Sequence, residues 1–325
     1  MSAALAQRPR DDVGVQDLVT VIPARFALQS GDQLSDGRVL LRRYGHADAP
    51  QVLVLGGISA GRAVAGDGGW WNNIIGAGAA IDTERYGVLG IDFAPLSDQR
   101  VAITPCDQAR LLAHAFDVLG IRQIHAFVGA SYGGMVGLAL AVLEPDRLRR
   151  LVVISAAHKP SALGLAWRGV QRRIVEFGQA HDDADGGLSL ARQLAMTTYR
   201  SGEEFEARFG AGLDAQGVSE IDRYLIARGE VYPATMAPQR WLSLSEAIDR
   251  HSIDPAAIRT PTTLIACPTD QIVPFADVAE LARRLPNPRG LHALPSIYGH
   301  DAFLKETGAL RPILSRALEA AHDPV

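Results

Sequence analysis

Cysteine is nearly absent: Cys106 and Cys267 are the only two in 325 residues. They stand far apart and in no Cys-x-x-Cys pair, which excludes a disulfide framework and a thiolate metal site and suits a reducing cytoplasm. Excess charge is missing too. A formal net charge of -4 provides no basic footprint for phosphates, so nucleic acid is not an expected partner. No uninterrupted apolar run approaches the ~18 residues that span a bilayer, so no membrane insertion is expected. Residues 1–15, with Arg8, Arg10, Asp11 and Asp12, lack the apolar segment of a secretory signal and read as a frayed terminus. Internal repeats and low-complexity tracts are also lacking.

What remains is the material of a folded enzyme. Hydrophobic residues make up 47% and charged residues 21% of the chain, enough apolar side chain for a large buried core. Short runs rich in Val, Ile and Leu recur at 52–55, 87–91, 124–128, 151–154, 262–266 and 291–294, between helical patterns. Runs apolar on both faces suit interior strands of a mostly parallel, doubly wound α/β sheet. An earlier segment, 39–44, supplies a strand nearer the edge. Between 158 and 250 helical patterns follow one another without a convincing strand. The expected organisation is therefore a core of 1–157 and 251–325 interrupted by a helical cap of 158–250. The acidic run at 182–187 punctuates that cap as a loop; it lacks the final Glu of an EF-hand loop, and no metal site is expected.

The sharpest motif is Gly129-Ala130-Ser131-Tyr132-Gly133, placed between an apolar run and a helix-like segment. Gly-x-Ser-x-Gly in that context is a nucleophile elbow, where small flanking residues permit the strained turn that presents a serine hydroxyl. Such a serine needs an imidazole to take its proton and a carboxylate to orient that imidazole. Asp270 follows the run at 262–266 and His300 follows the final run, in the order Ser, Asp, His, so Ser131, Asp270 and His300 are the candidate triad. Acyl transfer also requires donors for an oxyanion. The amide of Tyr132 and that of Gly57, in Leu55-Gly56-Gly57-Ile58-Ser59, are the candidates. Neither a Gly-x-Gly-x-x-Gly pattern nor a phosphate-loop lysine accompanies those glycines, which argues against a nucleotide site.

These residues, with Gly69-Trp70-Trp71, Ile81-Asp82-Thr83, 196–201 (Met-Thr-Thr-Tyr-Arg-Ser) and 298–304 (Tyr-Gly-His-Asp-Ala-Phe-Leu), resemble the homoserine O-acyltransferases of the α/β-hydrolase fold. The likeness runs from about residue 52 to about residue 306. It implies a ping-pong transfer of an acyl group from acyl-CoA, a co-substrate, to the hydroxyl of homoserine in methionine biosynthesis. No tightly bound cofactor and a homodimer built through the cap are also implied. Family substrate contacts carry over to Arg200, for the amino acid's carboxylate, and to Asp301, for its ammonium. Leu55-Gly56-Gly57-Ile58-Ser59 stands where acetyl-transferring members have His-Ala-Leu-Thr-Gly, Tyr132 replaces a usual Met, and the loop around 93–101 is short. These departures resemble the succinyl-using branch, for which Arg62, Arg168 or Arg172 could hold the extra carboxylate. The alternatives are acetyl-CoA as donor, an esterase or peptidase with the same triad, and a noncatalytic receptor on the same scaffold. Trp167 and Trp241 are read as packing residues of the cap.

Overall fold

The computed structural model describes residues 14–210 and 212–319, so most of the segment read as a frayed terminus lies outside it. Eight strands form one sheet in the order β1 (Gln16–Val21), β2 (Arg38–Tyr44), β6 (Gly87–Ile91), β3 (Gln51–Leu55), β7 (Ala126–Ala130), β8 (Leu151–Ile154), β9 (Thr262–Ala266) and β10 (Pro288–Ala293). From β6 to β10 every pairing is parallel; β1 and β2 are antiparallel additions. A separate two-stranded ribbon pairs β4 (Ile75–Gly76) with β5 (Ile81–Asp82).

Alternation explains the two cores. Strands β3, β6, β7, β8 and β9 are buried at every residue, because helices cover both faces of the sheet. Leu53, Leu55, Phe127 and Val153 point into the larger cluster, shared with α1 (Pro105–Val118) and α2 (Tyr132–Leu143). Val52, Val54, Val128 and Ile154 point into the other, shared with α9 (Ala302–Lys305) and α10 (Thr307–Glu319). Helix α1 starts where Thr104 and Asp107 cap each other's backbone amides and Pro105 takes the first turn.

The strand carrying the elbow sits two residues later than its apolar run suggests, at Ala126–Ala130, so it reaches directly to Ser131. The last strand is Pro288–Ala293 and not 291–294; at the sheet edge a leading proline costs no ladder bond. No reading assigned β1, whose Val19 and Val21 are exposed and whose Asp17 pairs with Arg42 at 2.7 Å. One covered face leaves no apolar run to detect.

Between β8 and β9 the chain passes through α3 (Ala162–Ala180), α4 (Ala184–Tyr199), α5 (Gly202–Arg208), α6 (Glu220–Glu230) and α7 (Pro238–Asp249); α8 (Phe275–Arg284) then follows β9. Helix α4 begins at Ala184, inside the acidic run expected to be a loop, because Asp183 caps it by accepting from Gly186 N. The departure and return of this excursion are clipped together. His251 Nε2 donates to the Ala157 carbonyl at 3.1 Å, and Ile253 N–H donates to the His158 carbonyl at 3.0 Å.

His251 is 2% exposed, and burial depresses its pKa to about 4. The unfolded imidazole titrates near 6.5, so as pH falls from about 6.5 to about 4 the unfolded chain takes up a proton that the folded chain refuses. Stability present above the upper value is lost across that window, by up to about 3 kcal/mol. Denaturant unfolding at pH 7 and pH 4.5 should show a smaller pH-driven loss for His251→Gln than for the wild type. Equal losses would remove His251 from the acid response.

Candidate active site

The turn between β7 and α2 is one residue long. Ser131 carries it with φ 54° and ψ −122°, a conformation costing roughly 1–3 kcal/mol for a residue with a Cβ. That cost is of the order of one buried aliphatic side chain, and α2 buries Val136, Leu138 and Leu140 completely. Crossing this tightly needs glycine on both sides: a Cβ on Gly129 would lie 2.4 Å from the Gly133 carbonyl oxygen. Ser131 N–H is itself tied to the Ile154 carbonyl at 2.8 Å.

His300 occupies the 3-10 turn Gly299–Asp301 beyond β10, and Asp270 the loop after β9. Ser131 Oγ lies 2.8 Å from His300 Nε2, and His300 Nδ1 lies 2.7 Å from Asp270 Oδ2. An ionised carboxylate can only accept, so Nδ1 carries the hydrogen and Nε2 is left to accept from the serine hydroxyl. The other oxygen of Asp270 accepts from the amides of Ile272, at 2.9 Å, and Val273, at 3.0 Å, which fixes the carboxylate plane. Asp270 is 5% and His300 6% exposed. Burial alone would push the imidazole pKa down, but the Asp270 carboxylate outweighs it, and His300 titrates above its ordinary value.

Gly133 N–H donates to the Gly56 carbonyl at 2.8 Å, which binds the loop after β3 to the start of α2. Gly57 follows Gly56 in the chain and Tyr132 precedes Gly133, so the two residues expected to supply oxyanion amides flank this bond in sequence. As the first residue of α2, Tyr132 has an amide with no intrahelical acceptor. Its ring points elsewhere, fully buried and edge-on to Phe93 at 4.8 Å. Gly57 lines the cavity, with nothing within 4 Å of where a Cβ would stand.

That cavity, of roughly 300 Å³, opens over Ser131 and His300 between the sheet edge and helices α3 and α4. Asp301 is on its wall; burial raises its carboxyl pKa, with His300, Arg200 and Arg192 opposing. Arg200 is not on the wall. It follows α4 in an extended conformation, φ −114° and ψ 154°, and its guanidinium turns inward to a close ion pair with Glu204. Its Nη2 lies 3.7 Å from Asp301 Oδ2, so the guanidinium expected to meet a substrate carboxylate stands beside the carboxylate expected to meet the ammonium.

Among the cations that do face the cavity is Arg192, one α4 heptad before Tyr199 and so on the same helix face. Its guanidinium lies 4.7 Å from the centroid of Tyr232 and 5.6 Å from that of Tyr199, and among the described residues no carboxylate pairs with it. Tyr232 in turn places its hydroxyl 2.8 Å from that of Ser59, in the Gly57 loop. Of the three arginines proposed for a donor carboxylate, Arg168 alone lines the cavity. Arg62 pairs with Asp92 and Asp17 beside the sheet, and Arg172 backs Arg168 by sharing Asp249 at 2.6 Å. Arg168 keeps one buried guanidinium nitrogen, Nη2, without a partner among the described residues. Trp241 is packed in the core, whereas Trp167, also read as packing, stands on the cavity wall. Trp70 lines the wall, while buried Trp71 donates from Nε1 to the Phe303 carbonyl at 3.1 Å, steadying α9 behind His300.

Comparison with known proteins agrees with this architecture. Residues 50–307 match the family model described as alpha/beta hydrolase fold. The chain is 42% identical to a homoserine O-succinyltransferase of Xanthomonas campestris pv. campestris, covering 93% of this chain and 83% of that protein. The chain belongs to the homoserine O-acyltransferase family. A homoserine O-acetyltransferase of Deinococcus radiodurans is 32% identical to this family member, covering 94% of this chain and 93% of the relative. Solved structures show the shared fold. A homoserine O-acetyltransferase from Bacillus anthracis superposes with a TM-score of 0.84 at 16% identity, over 96% of this chain and 99% of that one. Esterase E22 does so with 0.83 at 19% identity, over 94% and 100%. No group of three or more His, Cys, Asp or Glu side chains among the described residues could hold a metal ion, and no described helix is long and apolar enough to cross a membrane.

With the Ser131 hydroxyl removed, turnover should fall ~10⁴-fold or more, since such residues act as a unit. In the wild type, kcat/KM should decline on acidification through a midpoint above the ordinary histidine value, because protonated His300 cannot accept from Ser131. Asp270→Asn should lower both the rate and that midpoint. A profile from pH 5 to pH 9 with the same midpoint in both proteins would detach Asp270 from the titration of His300.

Proposed function

We propose that the protein moves a succinyl group from succinyl-CoA to the hydroxyl of L-homoserine through an acyl-serine intermediate. The observation that carries this is one cavity bringing Ser131 and His300 together with cations that include Arg168 and Arg192. Each substrate of such a transfer has a carboxylate to be met, the donor on its succinyl end and the acceptor on its amino-acid end.

In the first half-reaction His300 Nε2 takes the Ser131 proton as Oγ attacks the thioester carbon. The resulting oxyanion is received by the amides of Gly57 and Tyr132. Collapse breaks the carbon–sulfur bond, and the departing CoA sulfur takes the proton from His300. In the second half, His300 takes the proton of the homoserine hydroxyl while that oxygen attacks the acyl-serine. A second oxyanion collapses, and Ser131 Oγ leaves with the proton. Asp270 stays ionised throughout and stabilises the imidazolium. Asp301 receives the acceptor's ammonium, Arg200 together with Arg192 its carboxylate, and Arg168 Nη2 the donor's distal carboxylate. Transfer in place of hydrolysis requires water to be kept from the acyl-serine, a task for the enclosing walls of α3 and α4.

The acetyl-CoA alternative uses the same groups but leaves Arg168 Nη2 without a ligand. Esterase E22 shares the fold, which makes hydrolysis the other enzymatic reading. The product of the proposed reaction, an O-succinyl amino acid, would enter methionine biosynthesis. An apolar stripe on α3 supports a homodimer: Leu163, Val170 and Phe177 recur every seventh residue on one exposed face, with Leu190 of α4 also exposed.

Acetyl-CoA and succinyl-CoA, each with homoserine and with serine as acceptor, form the deciding assay. Succinyl-CoA with homoserine should turn over fastest, and Arg168→Gln should reduce the succinyl-over-acetyl preference about 10- to 100-fold, the loss of one charge-assisted bond. Faster turnover of acetyl-CoA by the wild type would reject the succinyl assignment, and turnover independent of any amino acid would favour hydrolysis. Sedimentation should give twice the chain mass, and Phe177→Glu should shift it toward the single chain. A wild type that sediments as a single chain would end the dimer proposal.

A further inference from the structure

Gly57, whose amide is to receive the oxyanion, lies in a loop with little of its own to stiffen it. Gly56 precedes it, and two glycines in a row leave the backbone unusually free. A Cβ on Gly57 would meet nothing within 4 Å, so no side chain could wedge the position. The loop is held instead from outside. The Gly56 carbonyl accepts from Gly133 N–H at 2.8 Å, the Gly61 carbonyl from Trp70 Nε1 at 3.2 Å, and Arg62 N–H donates to Asp92 Oδ1 at 2.7 Å. These three ties all come from the core. Ser59 supplies the one that comes from the excursion, with its Oγ 2.8 Å from the Tyr232 hydroxyl. Ala60 N–H donates to the Gly57 carbonyl at 2.8 Å, so Gly57 and Ser59 belong to a single turn.

Tyr232 is itself well anchored. It is 7% exposed, and its carbonyl accepts from Met236 N–H at 3.1 Å in the turn that leads into α7. Arg240 of α7 then donates to the Phe93 and Pro95 carbonyls, at 3.0 Å and 2.7 Å, which fastens that helix to the core.

We propose that Tyr232 is a positioning residue for the oxyanion site: its hydroxyl, acting through Ser59, latches the Gly57 turn to the cap and keeps that amide aimed at the developing charge. This rests on the reading that the Gly57 amide is an oxyanion donor. A phenol is a better hydrogen-bond donor than an aliphatic hydroxyl, and burial pushes the Tyr232 pKa up, so the phenol stays protonated. Tyr232 therefore donates and Ser59 accepts. An oxyanion donor acts only within roughly 2.7–3.1 Å of the charge, so an amide spread over several positions spends little time in a useful one. The ring of Tyr232 has a separate contact, the Arg192 guanidinium at 4.7 Å, and Tyr232→Phe removes the latch while leaving that contact in place.

The test uses Tyr232→Phe, Ser59→Ala and the double variant, with acetyl-CoA and succinyl-CoA as donors. Para-nitrophenyl acetate is a third substrate; its reaction passes through the same oxyanion with no amino acid present, so the latch can be read even if the transferase reading fails. In Tyr232→Phe, kcat should fall ~10-fold with all three substrates, less than the roughly 10²–10³-fold lost when an oxyanion donor is deleted outright. KM for each donor and for homoserine should stay within about twofold of the wild type, because only the transition state is disturbed. Ser59→Ala leaves the buried phenol without its partner; should it not fold, the double variant removes both groups and relieves that burden. The double variant should be no slower than Tyr232→Phe, since both changes break one bond. Ser59→Thr, which keeps the hydroxyl, should retain most of the wild-type rate.

A loss confined to succinyl-CoA would make Ser59 a contact of the donor and overturn the latch. A raised KM for homoserine with kcat unchanged would assign the pair to the acceptor site, and overturn it as well. Unchanged rates in Tyr232→Phe, or losses that multiply in the double variant, would also end it. Gly57→Pro, which deletes the amide N–H, tests the underlying reading separately. If that variant turns over as the wild type does, Gly57 is not an oxyanion donor, and the fault lies there and not with Tyr232.

Discussion

Parallel pairing of β3, β7, β8, β9 and β10 is the constraint from which the site follows. Strands that all run one way release their following loops at one edge of the sheet, so Gly57, Ser131, Asp270 and His300 come together despite their wide separation in sequence. No single loop has to be long or specially folded to reach the others. The burial of each strand on both faces makes slippage costly, because a one-residue shift would exchange the side chains of two separate cores. Rigidity of the sheet is thereby passed to side chains that must meet within hydrogen-bond distance.

On this frame the electrostatics are arranged in opposite senses on the two sides of the nucleophile. Behind His300 the fixed charges are negative, with Asp270 held by two amides and Asp301 nearby, and they favour a cationic imidazole. Across the cavity Arg168 and Arg192 are positive and lack full pairing with carboxylates. Arg168 in fact opposes protonation of His300, a sign of its proximity. An imidazole that must gain and lose a proton twice in each cycle is thus set between fields that resist either extreme.

Legibility from sequence followed burial and local context. Interior strands are continuous apolar runs, and the elbow joins a special turn to a strand and a helix, so both stand out. The order of Asp270 and His300 after successive strands was likewise readable. Strand β1 was not, because Val19 and Val21 face outward and its hold on the sheet is backbone pairing plus the Asp17–Arg42 contact. Arg200 and Arg192 show the limit more sharply. Both lie near Tyr199, Arg200 within the segment of family resemblance and Arg192 just ahead of it, yet the helix ends between them. Arg192 keeps the cavity-facing side of α4, while Arg200 falls in extended backbone and turns to Glu204. Residue type cannot reveal that change of direction; helical spacing counted back from Tyr199 could have.

The paired clips at Ala157–His251 and His158–Ile253 have an evolutionary meaning. A long excursion whose two ends are fastened side by side closes at little added entropy however far it wanders. Helices can therefore be gained, lost or reshaped in it while the strand order beneath is undisturbed. New acceptors or donors become accessible through the excursion alone, and the reacting groups need not be invented again.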